Sequence, residues 1–458
     1  MTTDAKPDYK HPLLWVPTSY FAMGTVYTMV TTAANIMFAN LGLDNERAAA
    51  YSSLTGFAFT FKPLWAPLLE LYKTKKFFVV MMQIVLAGTM AGLAVSLKLP
   101  SWIVPVLGFL ILAAIAGATQ DICTDGVYVT TLEPKRQAAF AGVQSLCWSI
   151  GPIIASGALV LIVGKLAGEV TGQAKPAAAA YASSWVVVFG VIAVVLGALA
   201  LWHWFMLPPG AKATDAPKSF GDAMSTFGKA FATFFQKKDV LLLLGFAFFY
   251  RFGLGLLDKI APLFILGSRA SGGLGLDNSM LGWLNGIIGT TAFMIGSILG
   301  GMFVAKRGLK RSLLILCLAL NVPNVTFLFL GITQPEATWQ GGWIWPFGDG
   351  SPNAGMVLVA TIFFIEKLGW GFGAVGHMIY MMQQIAPGPY RTAHYAFATG
   401  IGLSLCMTLT GLVSGFIQQR VGYLTYFIIV LVAATPSILF TVLAPFHHGD
   451  GSAPAPAK

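Results

Sequence analysis

Apolar residues along this chain gather into runs of about 20, the length of a helix that crosses the hydrocarbon core of a bilayer. Twelve such runs begin near Leu14, Ala48, Phe77, Trp102, Ala138, Ser184, Val240, Leu276, Ser312, Ala354, Thr392 and Tyr423. Mostly short polar stretches separate them, which predicts a compact bundle of spans. A transmembrane barrel would need alternating segments of about ten residues, and the pattern has none. The stretch before Pro12 is polar and the first run is too long for a signal-peptide core, so no cleaved leader is expected. The longest polar interruption, Pro208 to Asp239, divides the runs six and six. The predicted fold class is therefore an all-α membrane protein with twelve transmembrane helices in two pseudo-symmetric six-helix bundles. The expected boundaries are 1–207 for the first bundle, 208–238 for a cytoplasmic linker, 239–446 for the second bundle and 447–458 for a disordered cytoplasmic tail. Within the linker, Phe220, Met224, Phe227, Phe231 and Phe234 recur at helical spacing behind Ser219, a suitable N-cap. This predicts an amphipathic helix on the inner membrane surface.

Composition agrees with that pattern. The 458 residues are 56% hydrophobic and only 10% charged, with a mean hydropathy of +0.73. Soluble domains carry roughly a quarter charged residues. A net charge of +10 would also suit a nucleic-acid binder. The distribution excludes that reading. With the N-terminus placed in the cytoplasm, 18 of the 28 basic residues fall on the inner side and six on the outer. This is the positive-inside bias, and it puts both termini in the cytoplasm. The whole excess of +10 belongs to the inner side. The four cysteines lie in four different runs, without metal spacing, and are expected to be free buried thiols. No HExxH helix or nucleophile set is present, so neither a metal, a cofactor nor an enzyme is expected.

Eight ionisable residues lie inside the runs: Lys62, Asp121, Asp125, Arg251, Asp258, Lys259, Glu366 and Lys367. A charge in the bilayer costs several kcal/mol, so each is expected to face a partner or a wet cavity. Asp121, Asp125 and Tyr128 share one face of span four, next to Gln120. Two carboxylates four residues apart repel if both ionise, so a proton or a cation is expected on one of them. Asp121, Asp125 and Glu366 are the candidate proton carriers, with Lys62 or Arg251 responding to their charge. A fixed structural ion pair is the alternative. Arg251 is the candidate anion anchor, because a guanidinium grips carboxylate or phosphate in a fork. Span ten presents Glu366, Gly373, His377, Tyr380 and Gln384 on one face, while Lys367 points about 100° away. Span one adds a polar strip of Thr28, Thr31, Thr32 and Asn35. The expected substrate contacts are Lys62, Gln120, Tyr128, Arg251, Asn35, Thr28, His377 and Tyr380. The alternatives are a packing role for His377 and helix-backbone bonding by the threonines. Trp339, Trp343 and Trp345 precede span ten and are expected to anchor at the membrane interface. Gly151-Pro152 to Gly157 would permit a bend and close helix approach in span five.

Two loops recur at equivalent places in the halves. Gly301-Met-Phe-Val-Ala-Lys306-Arg307-Gly308-Leu-Lys310-Arg311 follows span eight and resembles the G-x-x-x-D-R-x-G-R-R loop of the major facilitator superfamily, with Ala305 in place of the acid. After span two, Glu70 and Lys73 with Lys75 and Lys76 keep an acid and a basic cluster. Glu70, Lys73, Gly301, Lys306, Arg307 and Arg311 are thus candidate gating residues, clamping helix ends in one conformation and releasing them in the other. Lys62-Pro-Leu-Trp65-Ala-Pro67-Leu-Leu-Glu70-Leu-Tyr72 and Ala118-Thr119-Gln120-Asp121-Ile122-Cys-Thr-Asp125-Gly126 resemble signatures of that superfamily's peptide/acetyl-CoA/drug transporters. Tyr250-Arg251-Phe-Gly253 is similar to their span-seven motif, although Leu254 stands where an Asp often follows, and Glu70-Leu71 replaces the usual Asp-Arg. The resemblance implies alternating access and proton-coupled import of a small molecule. The expectation is a monomeric transporter of a bacterial inner membrane that carries a peptidoglycan fragment or similar amphipathic anion. A siderophore, acetyl-CoA-like compound or drug is the alternative cargo, and a non-transporting receptor is the alternative of a different class.

Overall fold

The computed structural model describes residues 11–70, 73–170, 175–210, 219–340 and 351–448. Ten helices within it are long and apolar enough to cross a membrane. Span one is Pro12–Asn40, span three Lys75–Ser96, span four Ile103–Thr131, span six Ala178–Met206, span eight Asn278–Arg307, span nine Leu309–Thr333 and span ten Ala354–Ile385. Span five runs through Pro134–Pro152, a π turn at Ile153–Ala158 and Leu159–Ala167. Span seven is Val240–Leu266, interrupted at Tyr250 and Arg251. Ten becomes twelve for two local reasons. Span two is cut into Asn45–Leu54, Gly56–Phe61 and the short turns Lys62–Leu64 and Ala66–Glu70, and Pro63 and Pro67 end regular helix after Phe61. The 52-residue stretch Arg391–Val442 holds two spans folded at Gly422. Gly422 has φ 76° and ψ 169°, a backbone that only glycine adopts readily. The fold is thus twelve transmembrane helices in two pseudo-symmetric bundles.

The bundles meet along two seams, span two against span eleven and span five against span eight. In the second seam the backbones nearly touch: a Cβ on Gly157 would lie 2.7 Å from the Gly286 Cα. Small residues allow that approach where lipid offers no hydrophobic drive.

Hydrogen bonds between the bundles favour one end. Asn40 Nδ2 donates to Asn278 Oδ1 at 3.0 Å, and Asn45 Nδ2 donates to Gln418 Oε1 and the Tyr423 hydroxyl, both at 2.7 Å. Asn278 donates through its backbone N (2.8 Å) and Nδ2 (2.7 Å) to Glu169, which also accepts from Tyr181. Lys175 donates to the Leu266 carbonyl, and Arg420 lies 3.3 Å from Glu46. Deeper in the same half, Asn35 Nδ2 donates to the Lys259 carbonyl at 2.8 Å and Lys259 Nζ to the Thr31 carbonyl at 3.2 Å. Every inter-bundle hydrogen bond between described residues lies in this half, so this end is sealed.

The linker helix Phe220–Phe235 is capped by Ser219, whose Oγ accepts from Asp222 N at 3.1 Å. One side of it packs on the second bundle: Ala223, Ala230 and Phe234 are buried, and Phe234 packs edge-on against Phe397 and His394 of span eleven. Two expectations, on Trp339 and Lys367, need correction. Trp339 is no interfacial anchor: it is buried against Trp283, ring centroids 5.3 Å apart, at the start of a two-residue antiparallel ladder with Ser351–Pro352. Trp343 and Trp345 lie outside the described residues. Lys367 does not point away from Glu366, because its long side chain folds back to within 3.1 Å of the carboxylate. Of the four cysteines, Cys123, Cys317 and Cys406 are buried and Cys147 is half-buried.

Candidate functional site

The eight intramembrane charges divide evenly. Lys62 pairs with Asp121, and Glu366 pairs with Lys367. Asp125, Arg251, Asp258 and Lys259 have no ion-pair partner among the described residues. Burying an unpaired charge is expensive, so these four need another reason to be present.

A continuous face of span one meets all four of them. Tyr20, Tyr27, Thr31 and Asn35 follow one another at spacings of seven and four, hence on one side of the helix. Tyr20 donates to Asp125 Oδ1 at 2.7 Å. Tyr27 lies within electrostatic reach of Asp121 on its own bundle and of Arg251 and Asp258 on the other. Thr31 and Asn35 meet Lys259 through the bonds already described. Tyr27 is 39% exposed although it sits deep between the bundles, and Asp125 is exposed as well. Both therefore line an open cleft. The Lys62–Asp121 pair borders the same cleft, its side chains 30% and 21% exposed. The Tyr27 ring rests edge-on against Phe59 (5.0 Å) and tilted against Trp148 (6.2 Å), which fixes its direction.

The second bundle contributes Arg251. Regular helix stops at Phe249 and resumes at Phe252, so Arg251 sits in a break of span seven, with φ −111° and ψ 17°. Its Nε donates to His377 Nδ1 at 3.1 Å and an Nη2 proton reaches the Ala374 carbonyl at 3.4 Å. His377 Nε2 lies 2.9 Å from the Ala247 carbonyl. The Tyr250 ring stacks on the His377 ring at 4.9 Å, and its hydroxyl donates to the Gly373 carbonyl at 3.0 Å. Arg251 is only 7% exposed, and it lies within electrostatic reach of Tyr250, Tyr27 and Tyr395. An unpaired guanidinium in this setting is complementary to an anion.

Glu366 is 1% exposed, and apart from Lys367 neither of its oxygens has a hydrogen-bond partner. Lys367 also lies over the Trp370 ring, 4.4 Å from its centroid. Glu366 is within electrostatic reach of Asp258.

Other sequence-derived candidates lie elsewhere. Thr28 is buried and donates to the Gly24 carbonyl of its own helix. Asn35 belongs to the seal. Gln120 is buried with neither end of its amide bonded. The Tyr128 hydroxyl donates to the Gln137 carbonyl at 2.6 Å and ties span four to span five. The Tyr380 hydroxyl donates to the Pro445 carbonyl at 2.5 Å, and Gln384 accepts from the His447 and His448 backbones. Among the gating candidates, Lys306, Arg307 and Arg311 are exposed with no ion-pair partner among the described residues, Arg307 lying 4.9 Å over the Phe303 ring. A Cβ on Gly301 would meet nothing. Lys73 turns the backbone at φ 54°, and the Glu70 side chain lies outside the described residues. No group of three metal-ligating side chains occurs among the described residues.

The residues that sequence reasoning missed are Tyr20, Tyr27 and Tyr395, while Lys259 was marked as an intramembrane charge without a role. Tyr20 and Tyr27 lie seven residues apart on the face that leads to Thr31, and that spacing was the available signal.

Comparisons with known proteins agree on the fold. The family model described as Major Facilitator Superfamily matches residues 18–401. The anhydromuropeptide permease of Escherichia coli (strain K12) is 21% identical over 403 residues, covering 87% of this chain and 72% of that one. A putative transporter, AmpG 4, of Rickettsia conorii is 21% identical over 399 residues, covering 83% and 84%. Among solved structures, the nucleoside transporter NupG superposes with a TM-score of 0.65 at 16% identity, covering 94% of this chain and 97% of that one. The D-xylose–proton symporter superposes with a TM-score of 0.64 at 12% identity, covering 94% and 96%. With the family match spanning most of its length, this membrane transporter belongs to the Major Facilitator Superfamily.

Proposed function

We propose that the chain is a secondary active transporter that imports a peptidoglycan fragment, or a similar amphipathic anion, together with protons. The observation that carries this reading is Arg251. It is a buried guanidinium with no carboxylate partner among the described residues, held in a helix break within electrostatic reach of Tyr27 on the other bundle. Discontinuous helices of this kind form substrate sites at the midplane of transporters. The cargo is suggested by the 21% identity, over 87% of the chain, to a protein named anhydromuropeptide permease. Tyr27, Phe59 and Trp148 offer an apolar wall opposite the cation.

In this reading residues 1–207 and 239–446 rock against each other, both termini face the cytoplasm, and the protein is a monomer in the inner membrane. The sealed end then faces outward, and the cleft with Asp125, Asp121 and Lys62 opens inward. Asp121 and Asp125 are the proton carriers, because they face water and lie beside groups that respond to their charge: Lys62 for one and Tyr20 for the other. Glu366 is a second coupling site, reached only when the bundles move. Proteoliposomes holding the purified protein should accumulate anhydromuropeptide when the outside is made acidic, and a protonophore should abolish accumulation. Absence of gradient-driven uptake would sink this reading.

A further inference from the structure

We propose that His377 is a positioning residue: it splints the break in span seven and holds Arg251 so that one edge of the guanidinium stays free for an anionic group of the cargo. The proposal rests on the transport reading above and adds a residue role to it. The argument begins with the backbone. In a continuous helix the Ala247 carbonyl would accept from the Arg251 N–H, four residues on. The break at Tyr250 and Arg251 disturbs that turn. His377 Nε2 now lies 2.9 Å from the Ala247 oxygen, and a carbonyl can only accept, so Nε2 carries the proton. Nδ1 must then be the acceptor, and Arg251 Nε donates to it at 3.1 Å. The two bonds demand one neutral tautomer, the Nε2–H form. They also tie the imidazole to both sides of the break, to the backbone before it and to the side chain at it.

The geometry around the ring leaves it little freedom. Tyr250 stacks on one face at 4.9 Å with an interplanar angle of 19°, and Phe246 meets the ring edge-on at 5.8 Å. His377 is fully buried, so it does not itself line the cleft. With Nε bound to His377 and one Nη2 proton directed at the Ala374 carbonyl, Arg251 keeps its Nη1 protons and the second Nη2 proton for a ligand. These form a fork that fits a carboxylate or phosphate.

Two substitutions separate the bonds. Asn at 377 places its carbonyl oxygen near the position of Nδ1, so His377→Asn keeps the Arg251 contact. Gln reaches the position of Nε2, so His377→Gln keeps the Ala247 contact and loses the acceptor for Arg251. The probes are an anhydromuropeptide with free peptide carboxylates and the same molecule with those carboxylates amidated. For the acid, His377→Asn should stay within about threefold of wild type in KM, and His377→Gln should raise KM about 30-fold or more. Maximal rates should remain similar, and KM for the amide should change little in either variant. Equal effects of both variants, or equal loss for acid and amide, would show a merely structural histidine and overturn the proposal. The tautomer provides a readout that needs no cargo. Nitrogen-15 NMR of histidine-labelled protein, assigned through the variants, should show His377 as the Nε2–H form. An Nδ1–H or doubly protonated ring also overturns the proposal. Wild-type protein that shows the expected tautomer but imports neither probe defeats the muropeptide reading and leaves the splint standing.

Discussion

The two bundles treat their buried charges in opposite ways. In the first, Asp121 and Asp125 face the cleft, each with one partner, Lys62 or Tyr20, and each partly in water. In the second, Arg251 and Glu366 are buried, and the groups around them are fixed by packing. A carboxylate beside water can gain or lose a proton at modest cost. A guanidinium cannot be neutralised, so it holds charge constant and waits for an anion. In the proposed reading the contrast is a division of labour, with the water-facing proton carriers on the first bundle, and cargo charge recognition and the buried coupling site Glu366 on the second.

The strongest challenge to this contrast is Arg251→Gln. Truncating one member of a buried charged contact costs about 2–5 kcal/mol, so affinity for an acidic cargo should fall about 30-fold or more. Direct binding to purified protein measures it, and an unchanged affinity would place the anion site elsewhere. Next comes Asp121→Asn, which leaves Lys62 without its anion. Concentrative uptake should fall at least about tenfold while cargo exchange without a gradient persists. Lys62→Gln added to it should recover part of the loss in protein stability, since the stranded charge is gone; a further loss would argue against the pair. If Asp121→Asn instead remained pH-dependent and concentrative, Asp121 would not be the carrier. A smaller effect is expected from Tyr20→Phe, which removes one hydrogen bond to Asp125. Loss of about 1 kcal/mol predicts a roughly fivefold change in exchange rate and a shifted pH profile.

The smallest effect tests the sealed end, where neither rule of the central cleft applies. Glu169, beyond span five, is held above its ordinary value of 4.5, chiefly by burial, with the bonds from Tyr181 and Asn278 pulling the other way. Asp277 adds to the rise. The sign follows from linkage. If opening this end hydrates Glu169 and returns it to the ordinary range, the sealed form binds the proton more tightly, and acid favours the seal. That advantage is full below the ordinary Glu range and fades as pH rises through the raised value. Relative to a permanently exposed reference cysteine, whose thiol ionises over the same pH range, a cysteine placed on the sealed face should become a few-fold more reactive toward a membrane-impermeant maleimide as pH rises through this window. Glu169→Gln should flatten that dependence. A dependence of the opposite sign would show that Glu169 gains more from its three bonds than it loses by burial.

Much of the fold was legible because its causes are local. A run of apolar residues spans wherever it stands, and Pro63, Pro67 and Gly422 break or turn the chain through their own backbone chemistry. The candidate site was half legible. The cost of burial marked Lys62, Asp121, Asp125, Arg251 and Glu366 as important, and a helical wheel placed Asp121 and Asp125 on one face. Thr28 and Tyr128 misled the same logic, because a polar side chain on a shared face can as well bond its own backbone or a neighbouring loop. Lys367 misled it too, since a side chain with four methylenes can turn back across a helix to its neighbour.

What the sequence determined by itself was the solvent this protein lives in, the number of its spans, the side on which its basic loops are expected and which residues cost most to bury. Hydropathy and burial cost are properties of each residue in its medium, so no partner need be known. Tertiary structure alone decided who meets whom: Lys62 with Asp121, Tyr20 with Asp125, His377 with Arg251, and Asn278 with Glu169 across the seam. Those pairings depend on the register and rotation of helices far apart in the chain, which close packing of small residues fixes at the seams. The same packing left Arg251 with no carboxylate among the described residues, and the functional reading rests on that buried charge.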